Sequence, residues 1–190
     1  MTPPQKIKKL PSSIYMTDQD RHPDPLSIVK NLTPGTGVII RHYSTPGREE
    51  LVQKIAAVCK QQKLPFWVAN DMALAQRVGA DGVHFPEWAF SDSNVFPAID
   101  PGWIVFASAH NIPAIKRAEI LGADALLLGP VFATASHPDR RTLGISGFLE
   151  MAAATNLLVY ALGGISHENL KELPAPKNLA GYAGISIFEN

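Results

Sequence analysis

Gly122-Ala-Asp-Ala-Leu-Leu-Leu-Gly-Pro-Val-Phe-Ala-Thr134-Ala-Ser136 is the stretch that decides the fold. Gly122 reads as the stop of a preceding helix, a position that favours a residue without a Cβ. Ala125 to Leu128 is an unbroken apolar run, as in a parallel strand covered on both faces. Gly129 and Pro130 then turn the backbone, and Thr134 and Ser136 offer hydroxyls beyond the strand's carboxyl end. The same order occurs earlier, in Val78-Gly-Ala-Asp-Gly-Val-His84. A repeated helix, Gly-Ala-Asp and strand spells a parallel β/α fold, which binds ligands at the carboxyl ends of its strands.

Working outward, short apolar runs with polar ends predict strands over 13–18, 37–43, 65–70, 82–85, 103–110, 125–132, 157–165 and 180–188. Helices are predicted over 25–32, 48–62, 71–78, 113–121, 145–154 and 166–173, with Ser166 and Asn169 forming an imperfect capping box in the last. Residues 86–101 carry no periodicity. Eight strands with helices between them point to a (β/α)₈ TIM barrel over 13–190, preceded by a loosely ordered arm over 1–12. An open doubly wound sheet is the alternative, disfavoured because no Gly-x-Gly-x-x-Gly follows the first strand. No full eighth helix follows the last strand. The seam between strands eight and one is therefore expected to be covered otherwise, and under-covered Ile185 and Ile187 suggest a homodimer.

Composition removes several classes of function. The 17 Lys and Arg balance the 17 Asp and Glu, so no long-range field draws nucleic acid or an anionic membrane. No apolar stretch approaches the roughly 20 residues needed to span a bilayer. The single cysteine, Cys59, lies within a helical apolar pattern and reads as core. A cytoplasmic enzyme or binding protein for small molecules is expected.

Polar residues at strand ends make one convergent set: Asp18, Arg41, Asn70, Asp71, Ser108, Thr134, Ser136, Gly163 and Gly164. Asp71 suits either a helix cap or a metal ligand. Arg41 has the planar fork that matches phosphate or carboxylate. Ser108, Thr134 and Ser136 are equally at home as turn formers. Gly163-Gly164, followed by a helix opening at Ser166, suits a phosphate cradle of backbone amides. His84 and His110 stand at strand ends without an identifiable carboxylate partner and read as structural. No His/Cys cluster has zinc spacing, and Gly144-Ile-Ser146-Gly147 lacks the spacing of a nucleophile elbow.

Tyr15-Met-Thr-Asp18, Asn70-Asp71, Gly79-Ala-Asp-Gly-Val-His84, Ser108-Ala-His110, Gly129-Pro-Val-Phe-Ala-Thr134 and Leu162-Gly-Gly-Ile165 follow one another in a fixed order. As an ordered set they resemble the thiamine phosphate synthase/TenI family over residues 13–188. The resemblance implies a TIM barrel that binds hydroxymethylpyrimidine diphosphate and a thiazole phosphate at its mouth. Diphosphate leaves with the help of Mg²⁺, and the thiazole nitrogen attacks the pyrimidine carbocation. It implies catalytic roles for Arg41 and Ser108, and substrate or phosphate contacts for Arg41, Asn70, Thr134, Ser136, Gly163 and Gly164. It also implies that Asp71 is a Mg²⁺ ligand.

The chain departs from that family at five places. Strand two reads Ile39-Ile-Arg41-His-Tyr43 where the family has Gln-x-Arg-x-Lys. Ala89 stands in place of a second Mg²⁺ aspartate, with Glu87 the nearby carboxylate. His137 follows Ser136 where lysine is usual, and Glu189 lies near the place of a phosphate-binding serine. Pro130 stands where TenI-type tautomerases carry their histidine. Two readings follow. A synthase of weakened activity requires Glu87, His42 and His137 to converge with Arg41 and Asp71. A barrel that binds a phosphorylated thiamine precursor without turnover does not.

Overall fold

The computed structural model describes residues 10–90, 98–134 and 141–189. Eight parallel strands close into a barrel in chain order: β1 (Ser13–Met16), β2 (Gly37–Ile40), β3 (Phe66–Ala69), β4 (Gly82–Phe85), β5 (Ile104–Ala109), β6 (Ala125–Leu128), β7 (Leu158–Leu162) and β8 (Leu179–Gly184). Outside it lie α1 (Leu26–Lys30), α2 (Arg48–Gln62), α3 (Met72–Val78), α4 (Ile112–Leu121) and α5 (Gly144–Ala153). The expected TIM barrel is thus formed. No helix among the described residues is long and apolar enough to cross a membrane.

The repeated Gly-Ala-Asp earns its place at the foot of the barrel. Gly79 and Gly122 both take left-handed backbone, φ 64° and 84°, and end α3 and α4. The next amide reaches back to the helix, Ala80 to Ala75 and Ala123 to Ala118. Each aspartate then clamps a neighbouring strand: Asp81 accepts from the amide of Phe66 at 3.0 Å, and Asp124 from that of Val105 at 2.7 Å. One tripeptide therefore stops a helix and fixes the entry of the next strand.

Burial falls into two layers, as alternating side chains on a closed sheet require. Inside the barrel, Trp67, Phe106 and Tyr160 from β3, β5 and β7 meet edge to face, with ring centroids 4.7 and 5.6 Å apart. Tyr160 donates to the carbonyl of buried Pro11 at 2.6 Å, so the residues before β1 plug the amino end. Gly37 on β2 gives Trp67 its room, since a Cβ there would lie 2.9 Å from the indole. Between barrel and helices, α2 turns Val52, Ile55, Ala56 and Cys59 inward. Burial pushes the Cys59 thiol up to about 12, which makes it inert core as its pattern suggested.

Three expectations change. The strands are shorter than predicted: single backbone bonds run on past their ends, as from Thr17 to Ile39 and from Asn70 to His84, but the regular ladder stops. The helix expected over 166–173 is one 3₁₀ turn, Leu170–Glu172. Ser166 and Asn169 bond each other reciprocally at 2.9 and 3.3 Å, but the two prolines that follow shortly, Pro174 and Pro176, block a longer helix. Finally, β8 ends at Gly184, and the chain folds into a 3₁₀ turn, Ser186–Phe188. Phe188 lies against Tyr15 and Tyr182, and Ile187 is buried. This turn covers the seam, so the under-covered Ile187 expected there is not found. Of the arm over 1–12, residues 1–9 lie outside the described residues.

Candidate active site

A cavity of about 950 Å³ opens at the carboxyl ends of the strands. Arg41, Ser108, Thr134, Gly163 and Gly164 all line it, as do Asp18, His84, Glu87 and His110. Its size suits a small organic ligand.

Parallel register explains the first pair. Met16 lies beside Ile39, so two residues further on Asp18 comes level with Arg41. The Arg41 guanidinium donates to Asp18 Oδ2 at 2.7 Å and, through Nε, to the Thr17 carbonyl at 2.9 Å. Thr17 Oγ1 also accepts from the Arg41 amide and bonds His42 Nδ1 at 2.9 Å. His42 is thus buried behind the arginine rather than brought to the cavity, and burial holds its ring below the usual histidine range. Arg41 is a fixed cation with its fork partly occupied by a carboxylate.

The second pair is His84 and Ser108, on adjacent strands β4 and β5. Nε2 and Oγ lie 2.8 Å apart, in a buried environment. Burial, reinforced by Arg41, drives the His84 ring down to about 3, so it is neutral at pH 7. The Ser108 hydroxyl therefore faces an uncharged partner.

The third pair was not found in the sequence. Glu87, in the 3₁₀ turn Glu87–Ala89, accepts from the His110 amide at 2.8 Å and contacts His110 Nδ1 at 2.5 Å. Its other oxygen accepts from Asn111 at 3.1 Å. His110 does have a carboxylate partner, contrary to expectation. No spacing rule finds it, because the two residues are 23 apart and meet only through the β4–β5 pairing.

Gly163 and Gly164 follow β7 with φ of 92° and 65°. Both positions exclude a side chain: a Cβ on Gly163 would lie 2.6 Å from Pro130, and one on Gly164 2.3 Å from the Ala133 carbonyl oxygen. The Gly163 carbonyl accepts from the Phe132 amide and that of Gly164 from Asn169 Nδ2. Both residues line the cavity. The helix that was to add positive potential is absent, and Ser166 donates its own amide to Asn169.

Asn70 and Asp71 are the clearest corrections. Neither lines the cavity. Asn70 is exposed and takes left-handed backbone, φ 52°, to turn β3 into α3. Asp71 caps α3 through Oδ1, which accepts from Leu74 at 2.9 Å. Its Oδ2 accepts from Arg48 at 2.6 Å, and Arg48 also donates to the carbonyls of His42 and Ala69. The Asp71 carboxylate is thereby used twice for structure. Every oxygen of Asp71 and Glu87 has a protein donor, and the two lie in different places. The described residues contain no group of three or more His, Cys, Asp or Glu that could hold a metal. A Mg²⁺ bound at either carboxylate would have to compete with these protein donors. Ser136 and His137 lie outside the described residues.

A serine does stand after β8. Ser186 lines the cavity and accepts from Arg21 at 3.0 Å. The sequence reading missed it by running the strand through Phe188. Glu189, offered near its place, instead binds Arg21 at 2.9 Å and His22 at 2.7 Å.

Known proteins agree with this architecture. The family profile described as "Thiamine monophosphate synthase" matches residues 16–188. A "Putative thiamine-phosphate synthase 2" from Aquifex aeolicus is 36% identical, over 95% of this chain and 98% of its own length. A "Thiamine-phosphate synthase" from Methanococcus vannielii is also 36% identical, over 90% of this chain and 82% of its own. Among solved structures, a thiamine phosphate pyrophosphorylase from Pyrococcus furiosus superposes with a TM-score of 0.73 at 27% identity, covering 94% of this chain and 86% of that one. A closed barrel, a cavity at its carboxyl end and a profile match spanning both place this chain in the thiamine monophosphate synthase family.

Proposed function

We propose that this barrel, over residues 13–190, is a cytoplasmic thiamine phosphate synthase of reduced catalytic power. It joins hydroxymethylpyrimidine diphosphate to a thiazole phosphate at the cavity described above. The observation that carries this reading is the presence in one cavity of a fixed arginine, Arg41, and of the glycine pair Gly163-Gly164. One suits the diphosphate and the other the thiazole phosphate. Thr134 and Ser186 add hydroxyls, and Ser108 orients the pyrimidine from its place beside His84.

Departure of diphosphate requires positive charge aimed at the leaving oxygens. Arg41 supplies it, with Arg21 and Arg141 in the same cavity, but Asp18 at 2.7 Å opposes much of the Arg41 charge and Glu189 that of Arg21. Tyr43 and Ala89 supply none. Each missing contact of this kind typically costs about a hundredfold in rate. The same ion pair favours a second reading, in which the cavity binds these phosphates without turnover.

Supplying both precursors with Mg²⁺ and following thiamine phosphate decides between them. Slow formation is expected, abolished in Arg41→Ala and altered less by chelating Mg²⁺ than by that substitution. Asp18→Asn, which removes the opposing charge, is expected to bind inorganic diphosphate about tenfold more tightly. Product formation no greater than in Arg41→Ala would favour the binding reading. Fast, strictly Mg²⁺-dependent turnover would show that the metal is held by groups other than Asp71 and Glu87.

A further inference from the structure

At the carboxyl rim of the barrel, β8 pairs with β7 on one side and with β1 on the other, and β1 pairs with β2. The segments that follow these four strands are therefore neighbours. They bring Gly163-Gly164, Ser186, Arg21 and Arg41 to one cavity in that order. Arg21 thus stands between the glycine pair and Arg41.

A turn built on Asp18 presents Arg21 there. Asp18 Oδ1 accepts from the amides of Asp20 and Arg21 at 3.1 and 3.2 Å, and the Asp18 carbonyl accepts from the His22 amide at 2.9 Å. Oδ2 of the same carboxylate holds Arg41. The Arg21 guanidinium then reaches across to the segment after β8. Nη1 donates to Ser186 Oγ at 3.0 Å, and Nη2 spans both oxygens of Glu189 at 2.9 and 3.1 Å. Glu189 also meets His22 Nε2 at 2.7 Å. Arg21 and Ser186 line the cavity, whereas Glu189 and His22 do not.

A guanidinium binds carboxylate and phosphate through the same fork, so Glu189 occupies Arg21 as a phosphate would. The pair is exchangeable. Its side chains are 25% and 29% exposed, and ion pairs open to water in this way are weak. A phosphate monoester carries about 1.5 to 2 negative charges at pH 7 and three acceptor oxygens, so it competes well against a single carboxylate. Glu189 keeps His22 beside it when Arg21 turns away. An uncharged hydroxyl at the same place has no charge with which to displace Glu189.

We infer that Arg21 is a specificity-determining residue for the phosphate of the thiazole substrate, held at rest by Glu189 and released to a phosphate monoester but not to the corresponding alcohol. The inference takes its ligand from the synthase reading, and binding tests it without turnover.

The test is calorimetric titration of the full chain, without the pyrimidine substrate, with thiazole phosphate and separately with the unphosphorylated thiazole alcohol. Arg21→Ala is expected to weaken thiazole phosphate about thirtyfold and to change the alcohol by less than about twofold. Glu189→Gln removes the competing charge and tightens thiazole phosphate about fivefold, a gain that a damaged fold does not produce. In the double variant, Arg21→Ala with Glu189→Gln, that gain disappears because no guanidinium is left to release. Equal losses for the two ligands in Arg21→Ala, or no loss, would overturn the inference. So would a gain from Glu189→Gln that persists without Arg21, or a wild type that does not bind thiazole phosphate. Selective binding through Arg21 in a protein that forms no thiamine phosphate would leave the inference standing and remove the synthase activity. Thiamine phosphate formation with an unchanged KM for thiazole phosphate in Arg21→Ala would do the reverse.

Discussion

His84 shows how burial sets chemistry at a single residue. Its ring is 1% exposed and next to Arg41, and it holds no proton until about pH 3. The unfolded chain accepts that proton near pH 6.5. Between those values the unfolded state binds more protons, so stability falls as pH drops, by at most about 1.4 kcal/mol per pH unit. His42, lowered by burial in the same direction, adds to the slope. Urea unfolding at pH 7, 6 and 5 is expected to show this decline, and His84→Gln to flatten part of it. A midpoint that holds steady across that range in the wild type would contradict the burial argument.

At the scale of elements, a helix cap and a ligand compete for the same carboxylate. Asp71 caps α3 with one oxygen and pairs with Arg48 through the other. Removing a cap costs about 1 kcal/mol, and leaving a half-buried arginine without its partner adds a similar amount. Asp71→Ala is therefore expected to lower unfolding stability by about 2 kcal/mol in the absence of Mg²⁺. Asp71→Asn, which can still accept from Leu74, should lose less. A cost seen only when Mg²⁺ is present, read by thermal melts with and without the ion, would restore Asp71 as a metal ligand.

For the molecule as a whole, closing the barrel makes its exposed apolar residues more telling than its seam. The 3₁₀ turn after β8 covers the seam, yet α4 leaves Ile112 and Ile120 in solvent at i, i+8, the latter 76% exposed. On α5, Ile145 and Leu149 are exposed at i, i+4. The two helices flank β6 in the chain. We propose that the expected homodimer forms through this side, because apolar side chains grouped in solvent mark an interface. Sedimentation equilibrium at micromolar concentration should give twice the mass of 20.6 kDa, and Ile120→Glu with Leu149→Glu should give monomers. A monomeric wild type would remove the proposal.

The order of apolar runs and Gly-Ala-Asp stops in the sequence by itself determined the eight-stranded barrel, since each signal is local: a helix stop, a turn, a buried strand. It also placed Arg41, Ser108, Thr134 and the Gly163-Gly164 pair at strand ends, because a parallel strand's carboxyl end is readable from its pattern. What each polar group does was decided only by tertiary structure. Asp18 meets Arg41, His84 meets Ser108 and Glu87 meets His110 across neighbouring strands, at separations of 23 or 24 residues. Asp71 was withdrawn from the site by Arg48, which the sequence places on another helix. Side-chain partners depend on barrel register and on burial, and neither is a property of a residue and its neighbours along the chain.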